Sequence, residues 1–235
     1  MLKYAYILII GAGLLACSSV RDIYVEPESV SVTSEYEKPN AIDSMIQPYR
    51  TELDVEMSEV IAKAEQDFER GRPNGVLNNW STDALLMLYR KRFEKDKPVM
   101  CMLNVGGLRN PISEGDVLLS DIFKLMPFDN EVVFVKLPIS VKKEMEDYLL
   151  MKNGEPIGGA ILKDGELTID ELDDEDYFWV ITSDYLLGGG DKMYFFKKNI
   201  EVKYANQLLR DAFIEAAKSQ GTLIYNDDTR IWIDE

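Results

Sequence analysis

Residues Asn104–Asn130 read NVGGLRNPISEGDVLLSDIFKLMPFDN. The stretch opens at the exit of Val99–Leu103, VMCML, a continuous apolar run that predicts a buried strand. Gly106 and Gly107 permit a close approach to the backbone, and Arg109 offers a fork of donors suited to carboxylate or phosphate. Alone, these letters equally spell a tight turn with a surface arginine. Further on, SEGD marks a turn, Ser120 reads as an N-cap with Asp121 in the first turn, and a short helix runs through Leu125. Phe128 follows Pro127 in a polar connection. Its ring reads either as exposed and able to stack on a planar ligand, or as folded back over the core.

Upstream, Ile42, Met45, Ile46, Tyr49 and Leu53 have helical spacing, and Pro48 among them predicts a short or kinked helix. EVIAKAEQDF alternates like a strand, RGRPNG is a turn cluster, and a helix is expected over about Asn79–Arg92. Downstream, Glu131–Leu137 reads as a strand and Ser140 as the cap of a helix to about Lys152. Strands are expected at Ile157–Leu162, Glu166–Ile169, Tyr177–Thr182, Met193–Phe196 and Ile231–Asp234, with a helix at about Tyr204–Ser219. Strands and helices mix without strict alternation, which predicts an α+β fold in one domain, with no internal repeat.

The acidic run DELDDEDY, Asp170–Tyr177, lacks the spacing of a calcium loop and reads as solvated. SDYLLGGGDKMY, Ser183–Tyr194, reads either as a hairpin turn or as a loop that wraps a ligand. In the second reading Asp191 accepts hydrogen bonds from sugar hydroxyls.

The 235 residues carry a formal net charge of −16, which argues against a nucleic-acid partner. There is no histidine, so no Ser-His-Asp or Cys-His catalysis and no His-ligated metal. Lys3, the apolar run Tyr4–Leu15 and the ending LLAC read as an export signal, and the ending resembles a bacterial lipobox. Cys17 would then be the acylated first residue of a mature lipoprotein held at a membrane of the bacterial envelope, on its periplasmic face or the cell surface. Residues 1–16 are expected to be signal, 17–36 a tether containing a short strand at Val30–Thr33, and 37–235 the domain. Cys101, within VMCML, reads as a buried core thiol.

Taken in order, the segments resemble the C-terminal, substrate-specificity domain of the 5′-nucleotidase family, which includes UDP-sugar hydrolases and cyclic-nucleotide phosphodiesterases. RPNGVLNNWSTDALL resembles R-x-x-x-x-L-G-N-x-x-x-D-A-L; the opening stretch resembles N-x-G-G-I-R, I-x-x-G-x-I-x-x-x-D and P-F-x-N; ITSDYLLGGGDKMYFF resembles F-x-x-x-G-G-D. The resemblance implies a four-layer α/β/β/α sandwich. It further implies that Phe128 and Tyr185 sandwich a nucleobase, that Asp191 holds the ribose hydroxyls and that Asn104 and Asn130 hydrogen-bond the nucleoside. Arg109, with an entry arginine, holds the phosphate or ribose end; the spacing to Leu77 favours Arg72 over Arg70. Tyr185 stands where the family has Phe, and LNN replaces L-G-N. Family enzymes carry a two-metal phosphatase domain with D-x-H and G-N-H-[DE] ligands, which this sequence lacks. The implied role is therefore binding of a nucleotide or nucleoside for a separately encoded metallophosphatase, with divalent metals expected only in that partner. The alternative is a stand-alone nucleoside- or nucleotide-binding lipoprotein for scavenging or sensing.

Overall fold

The computed structural model describes residues 40–173 and 175–233. The candidate lipobox, Cys17, the tether and the strand expected at Val30–Thr33 lie outside them. Met1–Ile46 and Gln47–Glu235 form two compact units. Of the first, only the opening turns of a helix, Asn40–Met57 (α1), are described. Of the two outcomes that Pro48 suggested, short or kinked, the first does not hold: α1 runs for eighteen residues with Pro48 inside it, at the loss of one helical amide bond.

The second unit continues with β1 (Val60–Ala64), α2 (Val76–Tyr89), β2 (Val99–Met102), β3 (Gly115–Leu118), α3 (Leu119–Leu125) and β4 (Glu131–Pro138). Then come α4 (Lys142–Met151), β5 (Ile157–Gly158), β6 (Ala160–Lys163), β7 (Glu166–Ile169), β8 (Tyr177–Ser183), α5 (Asp184–Leu187), β9 (Glu201–Leu208) and α6 (Leu209–Gln220). The α+β expectation holds. A five-stranded mixed sheet has the order β5-β2-β8-β4-β9, with separate two-stranded ladders β1-β3 and β6-β7.

Strand alternation decides what each face of the large sheet buries. Val99, Cys101, Val132, Phe134, Trp179 and Ile181 face one core, which α2, α3, α6 and the β1-β3 ladder cover. Met100, Met102, Val133, Val135, Phe178 and Val180 face a second core, covered by α4 and the β6-β7 ladder. The central strands are thus buried on both faces, which is why Val99–Met102 reads as a continuous apolar run. Trp80 of α2 packs on Phe213 of α6 with ring centroids 5.5 Å apart. Cys101 is fully buried, and burial pushes its thiol pKa well up, so it behaves as a core residue.

Several local expectations fail for identifiable reasons. Ser120 does not cap α3; Leu118 occupies that position, and the Asp121 carboxylate accepts its amide at 2.9 Å. Ser140 lies inside a 3₁₀ turn, Ile139–Val141, that leads into α4. Met193–Phe196 is not a strand: Tyr194–Lys198 form a 3₁₀ turn that buries Phe195 and Phe196. A short apolar run fits either conformation. The helix expected from Tyr204 begins at Leu209, because Glu201–Leu208 pairs with β4 as an edge strand. Ile157–Leu162 is two strands, and Ile231 makes one isolated bridge to Leu162 rather than opening a strand.

Candidate functional site

β2 and β8 are parallel, and β4 is antiparallel to β8. The C-terminal ends of β2 and β8 and the start of β4 therefore meet at one end of the sheet. The three stretches singled out in the sequence leave or enter there: Asn104–Arg109 after β2, Phe128–Asn130 before β4 and Tyr185–Asp191 after β8. They enclose a cavity of about 310 Å³ lined by Asn104, Gly106, Gly107, Arg109, Phe128, Asn130, Tyr185 and Asp191. Six of the seven expected binding residues thus converge on one cavity.

The two rings are exposed, Phe128 by 39% and Tyr185 by 47%, large values for rings that a core would otherwise bury. The fold-back alternative for Phe128 does not occur. The Asp191 carboxylate is fixed from two sides: Asn104 Nδ2 donates to Oδ2 at 2.6 Å, and the Tyr185 hydroxyl donates to Oδ1 at 3.1 Å. The hydroxyl that distinguishes Tyr185 from the expected Phe thus ties ring and carboxylate together. Asp191 has φ +50°, a conformation that Asp tolerates better than most residues. Tyr148 of α4 donates its hydroxyl to the Asp191 carbonyl at 3.0 Å; burial raises that phenol's pKa and keeps it a donor. The Gly-rich loop is a short helix and a 3₁₀ turn, Gly190–Lys192, rather than a hairpin.

Two glycines are required by close approach. A Cβ on Gly107 would lie 2.8 Å from Asn104 Oδ1, and one on Gly190 would lie 2.4 Å from the Tyr185 ring. Gly190→Ala is expected to push the exposed Tyr185 ring aside and weaken ligand binding severalfold. Thermal unfolding should move little, because no core residue shifts. Titration of adenosine alongside a melt checks both.

Arg109 is exposed, and its guanidinium makes only a long contact, 3.4 Å, to the Gly106 carbonyl. It forms no ion pair among the described residues, so its fork of donors is open to a ligand. Arg72, by contrast, does not line the cavity. Its guanidinium pairs with Glu155, Nη2–Oε1 2.7 Å, and also donates to the Lys152 and Gly154 carbonyls. Glu155 is buried, and its second oxygen accepts the Val105 amide at 2.7 Å. Arg70 donates to the Leu108 carbonyl at 2.6 Å. Both arginines therefore brace the Asn104–Arg109 turn from behind, which corrects the ligand-contact role expected of Arg72.

Sequence reading missed Glu155, Tyr148 and Arg210. Arg210 pairs with Asp129 at 2.8 Å and lies over the Phe123 ring, securing the loop that carries Phe128. These partners are remote in sequence, and no local motif marks them. No group of three or more His, Cys, Asp or Glu side chains able to hold a metal occurs among the described residues.

The fold and the cavity define a mixed α/β domain with a ring-lined, hydrogen-bonding site at one sheet end. Residues 60–138 match the family described as 5′-nucleotidase, C-terminal domain. Of the cavity residues, Tyr185 and Asp191 lie beyond the matched segment. The 5′-nucleotidase of Vibrio cholerae is 26% identical over 132 residues, covering 56% of this chain and 23% of that protein. The chain thus spans under a quarter of that relative's length. Among solved structures, a 5′-nucleotidase precursor from Thermus thermophilus superposes with a TM-score of 0.66 at 18% identity, covering 83% of this chain and 43% of its own. The NAD nucleotidase of Haemophilus influenzae superposes with a TM-score of 0.60 at 16% identity, covering 82% and 41%. At these identities the structural likeness establishes the fold.

Proposed function

We propose that the cavity at the sheet end binds a nucleoside or nucleotide. The base stacks on Phe128 and Tyr185, Asp191 accepts from the ribose hydroxyls, and Asn104 and Asn130 hydrogen-bond the nucleoside. Arg109 holds the phosphate or ribose end. The observation that carries this reading is the convergence of three segments, remote from one another in sequence, on one cavity with two exposed rings and a carboxylate held ready. Stacking supplies affinity for any base, and a planar guanidinium suits a phosphate. The family match over residues 60–138 supports the same ligand class.

In this proposal the chain binds and presents, and phosphoryl transfer is done by a two-metal centre carried outside this sequence, in a metallophosphatase. The metals would activate water and stabilise the leaving oxygen. The absence of histidine from the chain agrees with that division. Cys17 would anchor the protein to an envelope membrane through its acyl chains. AMP hydrolysis by a candidate metallophosphatase, measured with and without this chain, tests the division of labour. Turnover is expected to rise when the chain is added. Equal turnover, with adenosine still bound by the chain, would favour a stand-alone binding protein. Phosphate release by the chain alone with divalent metal would contradict the division.

A further inference from the structure

A second concave site lies toward the opposite end of the sheet and rests on none of the reading above. It is a cavity of about 260 Å³, and four cations line it: Arg92, Lys97, Lys136 and Lys203. Phe93, Tyr177 and Trp179 add three rings to the lining. Only two carboxylates, Glu94 and Glu201, share the lining, in a chain whose net charge is −16. Asn130, in the first cavity, and Lys136 are six strand residues apart, about 20 Å.

Lys136 is the informative residue. Along β4, Val132 and Phe134 face the core beneath α2 and α6, and the strand period puts Lys136 on that same face. It sits opposite Trp179 on one side and Glu201 on the other. Inward-facing charges commonly protect an exposed sheet edge. That accounts for Lys203 on the edge strand β9, but not for Lys136, because β4 is flanked by β8 and β9.

The cations are supported by rings more than neutralised by carboxylates. Lys136 Nζ lies 3.7 Å from the Tyr177 ring centroid, and Lys203 Nζ 4.7 Å from that of Trp179. The Arg92 guanidinium lies over Tyr89 and Phe134 at 5.0 and 5.6 Å. Lys97 pairs with Glu175 at 2.7 Å and Lys203 with Glu201 at 3.1 Å. Arg92 and Lys136 form no ion pair or side-chain hydrogen bond among the described residues. A ring face attracts a cation without filling its N–H donors. Two cations with open donors in a concavity, surrounded by an acidic surface that repels anions elsewhere, focus anion binding here.

We propose that this cavity is an anion site for a phosphate-type group, with Arg92 and Lys136 as its principal donors and Lys203 as a third. The same chemistry is offered by a free phosphate compound and by a phospholipid headgroup.

The test is titration of the full chain carrying Arg109→Ala, which removes the guanidinium of the first cavity, with pyrophosphate. Sedimentation with phosphatidylglycerol vesicles, against neutral phosphatidylcholine vesicles, runs beside it. Saturable pyrophosphate binding is expected, weakened about tenfold by Lys136→Gln or Arg92→Gln, retained in Lys136→Arg and reduced by salt. If only the anionic vesicles bind, with the same dependence on Lys136 and Arg92, the site holds and its ligand is a headgroup. Binding to neither, or binding indifferent to both substitutions in chains that melt normally, overturns the proposal.

Discussion

Arg72→Ala is expected to destabilise the protein by about 3 kcal/mol, because it leaves the buried Glu155 carboxylate without its counter-ion. Burial already raises the Glu155 pKa, and the Arg72 guanidinium and the Val105 amide oppose that rise. A carboxylate raised in the folded state costs stability as pH climbs from its ordinary unfolded value through its folded one. Removing Arg72 raises the folded value further and widens that window. The deficit of the variant should therefore be largest at neutral pH and shrink toward zero below the ordinary carboxylate range. Urea unfolding of both proteins at neutral and acid pH measures it. Glu155→Gln in the Arg72→Ala background removes the unpaired charge and should recover part of the loss at neutral pH. A deficit that is the same at both pH values would show that lost packing, not the buried charge, dominates.

Phe128→Ala is the second large effect, and it falls on binding rather than folding. The ring is exposed, so its loss opens no cavity in either core, and the melting temperature should stay near that of the native chain. Base–aromatic stacking contributes about 1–3 kcal/mol per base, so adenosine should bind roughly five- to 150-fold more weakly. Phe128→Tyr or Phe128→Trp keeps a π face and should restore most of the affinity. Calorimetric titration of the three variants reads this directly, and equal affinity in all of them would remove Phe128 from the site.

These two residues also show what the sequence could and could not reveal. The local letters around Phe128 fit an exposed ring and a ring folded over the core equally, and only the order of the motifs, taken with the family they resemble, pointed to the exposed one. Asn104, Arg109, Asn130, Tyr185 and Asp191 likewise sit in short stretches that fit ordinary turns on their own, and it was the resemblance of the three stretches in order that grouped them as a site. Arg72 was misplaced because its partner lies 83 residues away. Nothing near Glu155 in the chain marks it as a buried carboxylate. Tyr148 and Arg210 escaped notice likewise, since each supports the site across packed elements.

The fold was legible where burial leaves a strong apolar signature. The expected strands Val99–Leu103, Glu131–Leu137 and Tyr177–Thr182 stood out as apolar runs, and α2 through its apolar face. β9 did not. Among its eight residues only Ala205 is buried, so an edge strand carried almost no alternation. The apolar face of α6, with Leu209, Ala212, Phe213, Ala216 and Ala217, imposed its own period on the residues just before it. Met193–Phe196 failed through length, since a run of only four apolar residues fits a strand and a 3₁₀ turn equally.

Titration of adenosine into the intact chain, repeated in the Phe128→Ala variant, bears most directly on the cavity as a nucleoside site. One saturable site per chain is predicted, at sub-millimolar affinity or better, lost or strongly weakened in the variant. No binding heat at millimolar adenosine, or the same isotherm from both proteins, would contradict it.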